Sequence, residues 1–171
     1  MATMPGELII RPAAPADLPA LGRLGAVLVR VHHGFDGARF MTPARDIEDG
    51  YAWFLGTQLE EPDVVILVAE GAATDGQPPE ILGYVYAGLE PRSWKELREA
   101  AGFVHDVVVD QQARGQGIAT RLLEAAAAWL EGRGAPRVLL WSAARNEGAQ
   151  RLFERLGFRR TMVEMTRERR G

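Results

Sequence analysis

Residues 103–130 read FVHDVVVDQQARGQGIATRLLEAAAAWL, in which a valine-rich segment leads through a glycine-containing turn into an alanine- and leucine-rich segment. Residues 103–109 are mostly apolar and end at Asp110, which is typical of a buried β-strand. Beyond the turn the residues favour a helix, and apolar side chains recur at helical spacing. These predicted core positions are Ile118, Leu122, Ala126 and Trp129. The stretch therefore predicts a strand, a turn and an amphipathic helix.

The turn at the start of this helix is suited to hold an anion. The first N–H groups of a helix lack intrahelical partners and lie at the positive end of the helix dipole, so they bind phosphate well. Gly115 and Gly117 would let the backbone approach closely, and Arg114 adds a positive charge. Two nucleotide-binding fingerprints do not match. The Rossmann pattern needs glycine where Thr120 stands, and the P-loop needs a lysine, whereas the only lysine is Lys95.

The pattern Gln112-x-x-Gly115-x-Gly117 resembles the [QR]-x-x-G-x-[GA] signature of GNAT-type N-acetyltransferases. In that family the loop holds the pyrophosphate of coenzyme A. The family loop also follows a strand and opens a helix, as this turn is predicted to do. The resemblance therefore implies that this turn is a coenzyme A site.

A second segment, NEGAQRLFERLGF at residues 146–158, resembles the family pattern N-x-x-A-x-x-[LF]-[YF]-E-x-x-G-F. In the family the asparagine and its helix lie beside the pantetheine arm of the cofactor. Asn146 would also serve as an ordinary helix N-cap, and the two roles are compatible. With both motifs in the family order, the resemblance covers nearly the whole chain, from about residue 7 to residue 166.

Periodicity and turn signals predict the element order β-α-α-β-β-β-α-β-α-β. The predicted strands are residues 7–11, 64–70, 81–89, 103–109, 137–141 and 158–166, and the predicted helices are residues 16–33, 43–59, 118–130 and 146–156. Residues 91–101 are expected to form a short turn or helix. This order indicates one mixed α/β sandwich domain over residues 1–171, with helices on both faces of a central sheet. The GNAT resemblance implies a mostly antiparallel sheet that splays at the cofactor site.

Composition limits the classes of function. A chain of 171 residues can bury a sizeable core, and a net charge of −3 argues against general binding of nucleic acid. The absence of cysteine excludes thiolate nucleophiles and cysteine-based metal sites, and His32-His33 is read as a solvated helix end, so no metal is expected. No signal peptide or membrane span is apparent, which favours a cytoplasmic protein. The strong preference for arginine over lysine suggests a bacterial source with a GC-rich genome.

By the resemblance, the protein moves an acetyl group from acetyl-CoA to a primary amine of a small molecule, peptide or protein, through a ternary complex. Its partners would be acetyl-CoA and the amine acceptor, without nucleic acid or membrane, and a homodimer is compatible with the resemblance. Two alternatives stay open. One is a catalytically idle acyl-CoA-binding module of the same fold, favoured by Phe153, where the family often has a tyrosine. The other is a nucleotide-binding α/β protein.

The resemblance assigns the cofactor contacts to the end of the central strand, the glycine turn, the first turn of the following helix and the second motif. In this chain these residues are Val107, Val108, Val109, Gln112, Arg114, Gly115, Gln116, Gly117, Ile118, Ala119, Thr120, Asn146 and Phe153. Near Val107–Val109 the strand backbone is the expected partner of the pantetheine amides and of the oxyanion.

The catalytic candidates are His105 and Asp106. His105 stands where some family members carry an acidic base, and its ordinary pKa of about 6.5 suits proton transfer near neutral pH. Asp106 is the alternative base, and a structural role for the histidine also stays open. Strict strand alternation would place Phe103, His105, Val107 and Val109 on one face and Val104, Asp106 and Val108 on the other.

Residues 46–63 contain no lysine or arginine, and they suggest an acidic surface on the acceptor side. They carry six acids, Asp46, Glu48, Asp49, Glu60, Glu61 and Asp63. Such a surface would attract a cationic amine, although a solvated helix face explains it equally well.

Overall fold

The computed structural model describes residues 8–73 and 76–170. Its strands are β1 (Ile9–Pro12), β2 (Val64–Glu70), β3 (Ile81–Glu90), β4 (Ala101–Val109) and β5 (Val138–Leu140). Its α-helices are α1 (Leu18–Phe35), α2 (Ile47–Gln58), α3 (Ile118–Gly132) and α4 (Glu147–Arg155). The strands form one sheet in the order β1-β2-β3-β4-β5, with every neighbouring pair antiparallel except the parallel pair β4–β5. The mixed α/β architecture and the mostly antiparallel sheet are as predicted.

Two apolar cores lie on opposite faces of this sheet. On one face α1 and α2 cover Ile66, Val68 and Val108. On the other face α3 and α4 cover a core that includes Leu67 and Val85. The alternation of apolar side chains along β2 and β3 fills both cores, because successive residues of a strand point to opposite faces. The prediction of helices on both faces is confirmed.

The central strand β4 departs from regular alternation at His105. Tyr86 of β3 pairs with Asp106, and the next residue, Ala87, pairs with Val104, so His105 has no partner on β3 and forms a β-bulge. The predicted alternation of faces holds from Asp106 to Val109 but is wrong for Val104, on the other side of the bulge. Val104 joins the core beneath α3 together with Val109, whereas Asp106 turns toward α2.

The sheet splays between β4 and β5. Their pairing begins at Gly102 and Val138 and ends at Val104 and Leu140, while β4 continues to Val109. Beyond Val104, no strand from the described part of the chain lies beside the β5-facing edge of β4, so the backbone polar groups of this edge are open to a ligand. The splaying that the sequence led us to expect is confirmed.

The predicted final strand at residues 158–166 is wrong. This segment has no regular secondary structure and is exposed from residue 159 onward. The adjacent strand β5 has only three residues, so it offers a short edge for pairing. The segment instead contacts the link between α1 and α2, where Arg39 forms an ion pair with Glu164.

Smaller differences occur elsewhere. Residues 91–100 form a narrow turn, as one of the two expected forms, in which Ser93 and Arg98 exchange two backbone hydrogen bonds, of 3.0 and 3.1 Å, and Ala101 already belongs to β4. Helix α2 begins at Ile47 instead of residue 43, after a turn. The predicted strand residue Glu7 lies outside the described residues, as do residues 74 and 75 of the predicted turn. Among the described helices, none has both the length and the apolar character needed to cross a membrane.

Candidate active site

A cavity of about 250 Å³ occupies the gap where the sheet splays. Its walls come from α1, the α1–α2 link, α2, β4, β5 and the start of α4. Five residues predicted from the sequence line it, namely His105, Asp106, Val107, Asn146 and Phe153. Residues not predicted to belong to the site also line it, including Leu28, Val29, His32, Phe40, Met41, Tyr51 and Trp141. The structure thus brings both catalytic candidates to one cavity.

The carboxylate of Asp106 is held by two tyrosines. The hydroxyl groups of Tyr51 and Tyr84 donate hydrogen bonds of 2.5 and 3.1 Å to the same oxygen, Oδ2. Burial raises the pKa of Asp106 above its ordinary value, and the two hydrogen bonds oppose this rise. Burial likewise raises the pKa of both tyrosines, so they stay protonated donors. Burial prevails and the pKa stays raised, so the two hydrogen bonds offset only part of the cost of ionising Asp106, and a cation bound beside it would favour the carboxylate further.

His105 lies between two aromatic rings and next to a carboxylate. Its ring centroid is 4.8 Å from that of Tyr86 and 4.9 Å from that of Phe103. Its Nε2 lies 3.3 Å from Oε1 of Glu90, and its side chain is 29% exposed. Burial lowers the pKa of His105 below its ordinary value, and Glu90 opposes this. A histidine with a lowered pKa is neutral near pH 7 and can accept a proton.

Three contacts of the two catalytic candidates were not predicted from the sequence. Tyr51, Tyr84 and Glu90 come from α2 and β3, far along the chain from the residues that they contact. One signal was present. An aspartate inside a valine-rich strand needs hydrogen-bond donors when it is buried, and a buried tyrosine hydroxyl needs an acceptor. This signal indicates that partners exist but does not identify them.

Tyr51 is positioned by a glycine of α1. A Cβ atom added at Gly25 would lie 2.0 Å from Cδ1 of Tyr51, so the ring packs directly on the glycine backbone. We expect Gly25→Ala to displace this ring from Asp106 and to destabilise the fold by about 1–3 kcal/mol, the usual cost of overpacking. Thermal unfolding and steady-state kinetics check this prediction. Gly34→Ala on the same helix is the matched control, because a Cβ there meets nothing within 4 Å. Equal stability of the two variants would contradict the prediction.

The glycine turn presents an open helix N-terminus at the end of β4. Gly115 and Gly117 have φ values of 78° and 76°, in the left-handed region that favours glycine, and Gly117 is the N-cap of α3. A Cβ atom added at either glycine meets nothing within 4 Å. The side chain of Asp110 accepts a hydrogen bond of 2.9 Å from the backbone N–H of Gln112 and so orders the turn. These features fit a phosphate-bearing ligand.

The other predicted cofactor residues occupy different settings. Gln112, Arg114 and Gln116 are exposed in the turn, Ala119 and Thr120 are half-buried on α3, and Ile118, Val108 and Val109 are buried. None of these residues lines the cavity.

The side chain of Asn146 accepts a hydrogen bond of 3.3 Å from the N–H of Ala149, which confirms its N-cap role. Phe153 is buried and packs against Phe158.

The histidine pair at the end of α1 contributes one member to the cavity. Nδ1 of His32 lies 2.8 Å from the carbonyl oxygen of Leu28, and its ring packs on Phe40. The expectation of a solvated helix end is therefore wrong, because His32 and His33 are both half-buried. Within residues 8–73 and 76–170, no group of three or more potential metal-ligating side chains is arranged to hold a metal ion.

Comparison with known proteins identifies the family. The sequence profile of the acetyltransferase (GNAT) family matches residues 32–158. This chain belongs to the GNAT family. The GNAT chain is 32% identical to an uncharacterized N-acetyltransferase of Methanocaldococcus jannaschii over 106 residues, which are 62% of this chain and 44% of that protein. It is 30% identical to the mycothiol acetyltransferase of Rhodococcus jostii over 162 residues, 88% of this chain and 51% of that protein.

The GNAT fold is also seen in a solved structure of similar size. The aminoglycoside N-acetyltransferase AAC(6')-Iy in complex with CoA superposes with a TM-score of 0.75 at 16% identity, covering 100% of both chains. At this identity the likeness shows the fold alone. The GNAT chain spans about half the length of the curated relatives that it matches.

Proposed function

We propose that this GNAT protein transfers an acetyl group from acetyl-CoA to a primary amine. The observation that carries the proposal is the placement of two features on one strand. The middle of β4 brings His105 and Asp106 to the cavity, and the end of β4 leads into the open N-terminus of α3. A proton acceptor and an anion site thus lie along the same splayed edge, which a phosphate-bearing acyl donor and an amine would share.

The residues of this chain fit acetyl-CoA in two places. The backbone of Gly115, Gly117 and the first turn of α3 would hold the pyrophosphate, and Arg114 adds a positive charge. The open edge of β4 at residues 107–109 would hydrogen-bond the pantetheine amides, beside Asn146 and Phe153. When bound, acetyl-CoA supplies an acetyl group activated as a thioester.

Asp106 and His105 have separate roles in this proposal. Asp106 binds the ammonium form of the acceptor, because it is an oriented carboxylate in a cavity of low polarity. His105 then accepts the proton, since its lowered pKa keeps the ring neutral near pH 7. The free amine attacks the acetyl carbonyl, and backbone N–H groups on the open edge of β4 stabilise the oxyanion.

Phe153 stands where many family members place a tyrosine. It is buried and has no proton to donate to the departing thiolate. A thiol has an ordinary pKa of about 8.5, so its thiolate is a tolerable leaving group without an acid. The relatives named above are called acetyltransferases, which favours the enzyme over the catalytically idle alternative.

Release of free thiol from acetyl-CoA over a panel of primary amines tests the proposal, alongside calorimetric binding of acetyl-CoA. We expect binding of the cofactor and thiol release that depends on the amine. Binding without release for any amine would contradict the proposed transfer and favour an acyl-CoA-binding module.

Glu90 is proposed to set the pKa of His105. The Glu90 carboxylate stabilises the protonated ring, so Glu90→Gln should lower the pKa of His105 further. A base is active above its pKa, and the acidic limb of the kcat/KM profile is therefore expected to move to lower pH. Glu96→Gln is the matched control, because Glu96 pairs with Arg98, as Glu90 does, but makes no ion pair with His105. A limb that stays in place or moves to higher pH in Glu90→Gln would contradict this role.

A further inference from the structure

The part of the cavity wall that comes from α1 and the α1–α2 link is apolar apart from His32. It is formed by Leu28 and Val29 of α1 and by Phe40 and Met41 of the α1–α2 link. Arg39 of this link pairs with Glu164, and the carbonyl oxygen of Phe35, the last residue of α1, accepts a hydrogen bond of 2.9 Å from Arg145. The apolar wall is thus part of the folded structure, and it would contact the body of an acceptor whose amine lies at Asp106.

The cavity holds a single negative charge. Among the described residues that line it, Asp106 is the only one with a carboxylate. One carboxylate matches one ammonium group. A second ammonium of the same acceptor inside the cavity would find no second carboxylate, and burying an unpaired charge is costly.

The acids on and around α2 do not supply the missing charges. Asp46, Glu48 and Asp49 lie at the start of this helix of 12 residues, and Glu60, Glu61 and Asp63 lie beyond its other end. The two groups are separated by the length of the helix, about 18 Å. Glu48 pairs with Arg30 and Asp63 with Arg133, and none of the six acids lines the cavity. The six acids therefore form two separate groups outside the cavity, and the attraction of a cationic acceptor by them stays a prediction.

The cavity is also small. Its volume of about 250 Å³ lies below the range of about 300–1,000 Å³ that is common for drug-sized ligands. The acceptor shares this space with the acetyl end of the donor. The part of the acceptor that carries the amine is therefore compact.

We propose that the acceptor presents a single primary ammonium on a short apolar or aromatic group. This inference rests on the proposed acetyl transfer and names its substrate class. The ammonium binds Asp106 next to His105, and the apolar group lies against Phe40 and Met41. An arylalkylamine has this chemistry, and so does the N-terminus of a peptide that begins with an apolar residue. Polyamines and aminoglycosides, which carry several ammonium groups, do not.

Thiol release from acetyl-CoA, measured with four probes, tests this inference. The probes are phenethylamine, a short peptide amide beginning with phenylalanine, spermidine and kanamycin. We expect kcat/KM for phenethylamine or for the peptide to exceed that for both polycations by at least about tenfold. Whichever of these two probes has the higher kcat/KM shows whether the acceptor is an arylalkylamine or a peptide N-terminus. An equal or higher value for spermidine or kanamycin overturns the inference and leaves the acetyl-transfer proposal intact. Absence of release with all four probes, while acetyl-CoA still binds, overturns the inference and counts against the transfer.

A charge added to the apolar wall provides an independent test. Met41 is 62% exposed and lines the cavity, so Met41→Glu places a second carboxylate there at little risk to folding. We expect the ratio of kcat/KM for spermidine to that for phenethylamine to rise by at least about tenfold. Met162→Glu is the matched control, because Met162 is 79% exposed and does not line the cavity. An unchanged ratio in Met41→Glu, or an equal rise in the control, overturns the assignment of this wall.

Discussion

Replacement of Gly117 by tryptophan is expected to weaken acetyl-CoA binding by more than about tenfold, equivalent to about 1.4 kcal/mol. Gly117 is the N-cap of α3, and the space beside its Cα is open, so a large side chain would occupy the position proposed for the pyrophosphate. Calorimetric titration with acetyl-CoA measures the effect.

The control for this variant is Gly134→Trp. Gly134 follows the other end of α3, has a φ of 89° and is equally open, so the substitution introduces the same bulk and a similar backbone strain. We expect similar losses of stability in the two variants but normal acetyl-CoA binding in Gly134→Trp. Unchanged binding in a folded Gly117→Trp variant would show that the glycine turn is not the phosphate site.

Replacement of His105 by alanine is expected to lower kcat by roughly 10²-fold, the usual effect of losing a general base. The acidic limb of the kcat/KM profile should flatten, because the group that titrates there is removed. Asp106→Asn should instead raise the acceptor KM, since it removes the charge that binds the ammonium. This division between kcat and KM separates the two proposed roles.

His33→Ala is the control for the loss of a histidine, because His33 does not line the cavity. It should leave kcat and the pH profile unchanged. If His105→Ala keeps the parent rate and acidic limb, the base is a different group, with Asp106 or a chain of water molecules as the next candidates.

The local parts of the fold were predictable from the sequence. The valine-rich strand, the glycine turn and α3 each leave a pattern within about a dozen residues, and the second motif marks α4 in the same way. Periodicity gives the type and order of such elements because it reports which face of each element is buried. The prediction of a final strand at residues 158–166 was wrong because a strand also requires the edge of a neighbouring strand to pair with. A local pattern of residues does not show whether such an edge is present.

The chemistry of the site was less predictable. His105 and Asp106 could be named from their place on the central strand, but alternation put them on opposite faces. The bulge appears only when β4 is paired with β3, which has one residue fewer over the same length. The tyrosines that hold Asp106 come from α2 and β3, and no local pattern connects Tyr51 with a carboxylate 55 positions away in the sequence.

The bulge on β4 also bears on how such a site can arise and be lost. His105 is the one residue of β4 without a partner on β3, and the residues on either side of it are already in register with consecutive residues of β3. A deletion of that single codon would leave a regular ladder, with Val104 and Asp106 still facing their present cores. The genetic information for the proposed proton acceptor is therefore separable from the information for the fold. A lineage with this scaffold could gain, exchange or discard that side chain in one step without redesigning the interior.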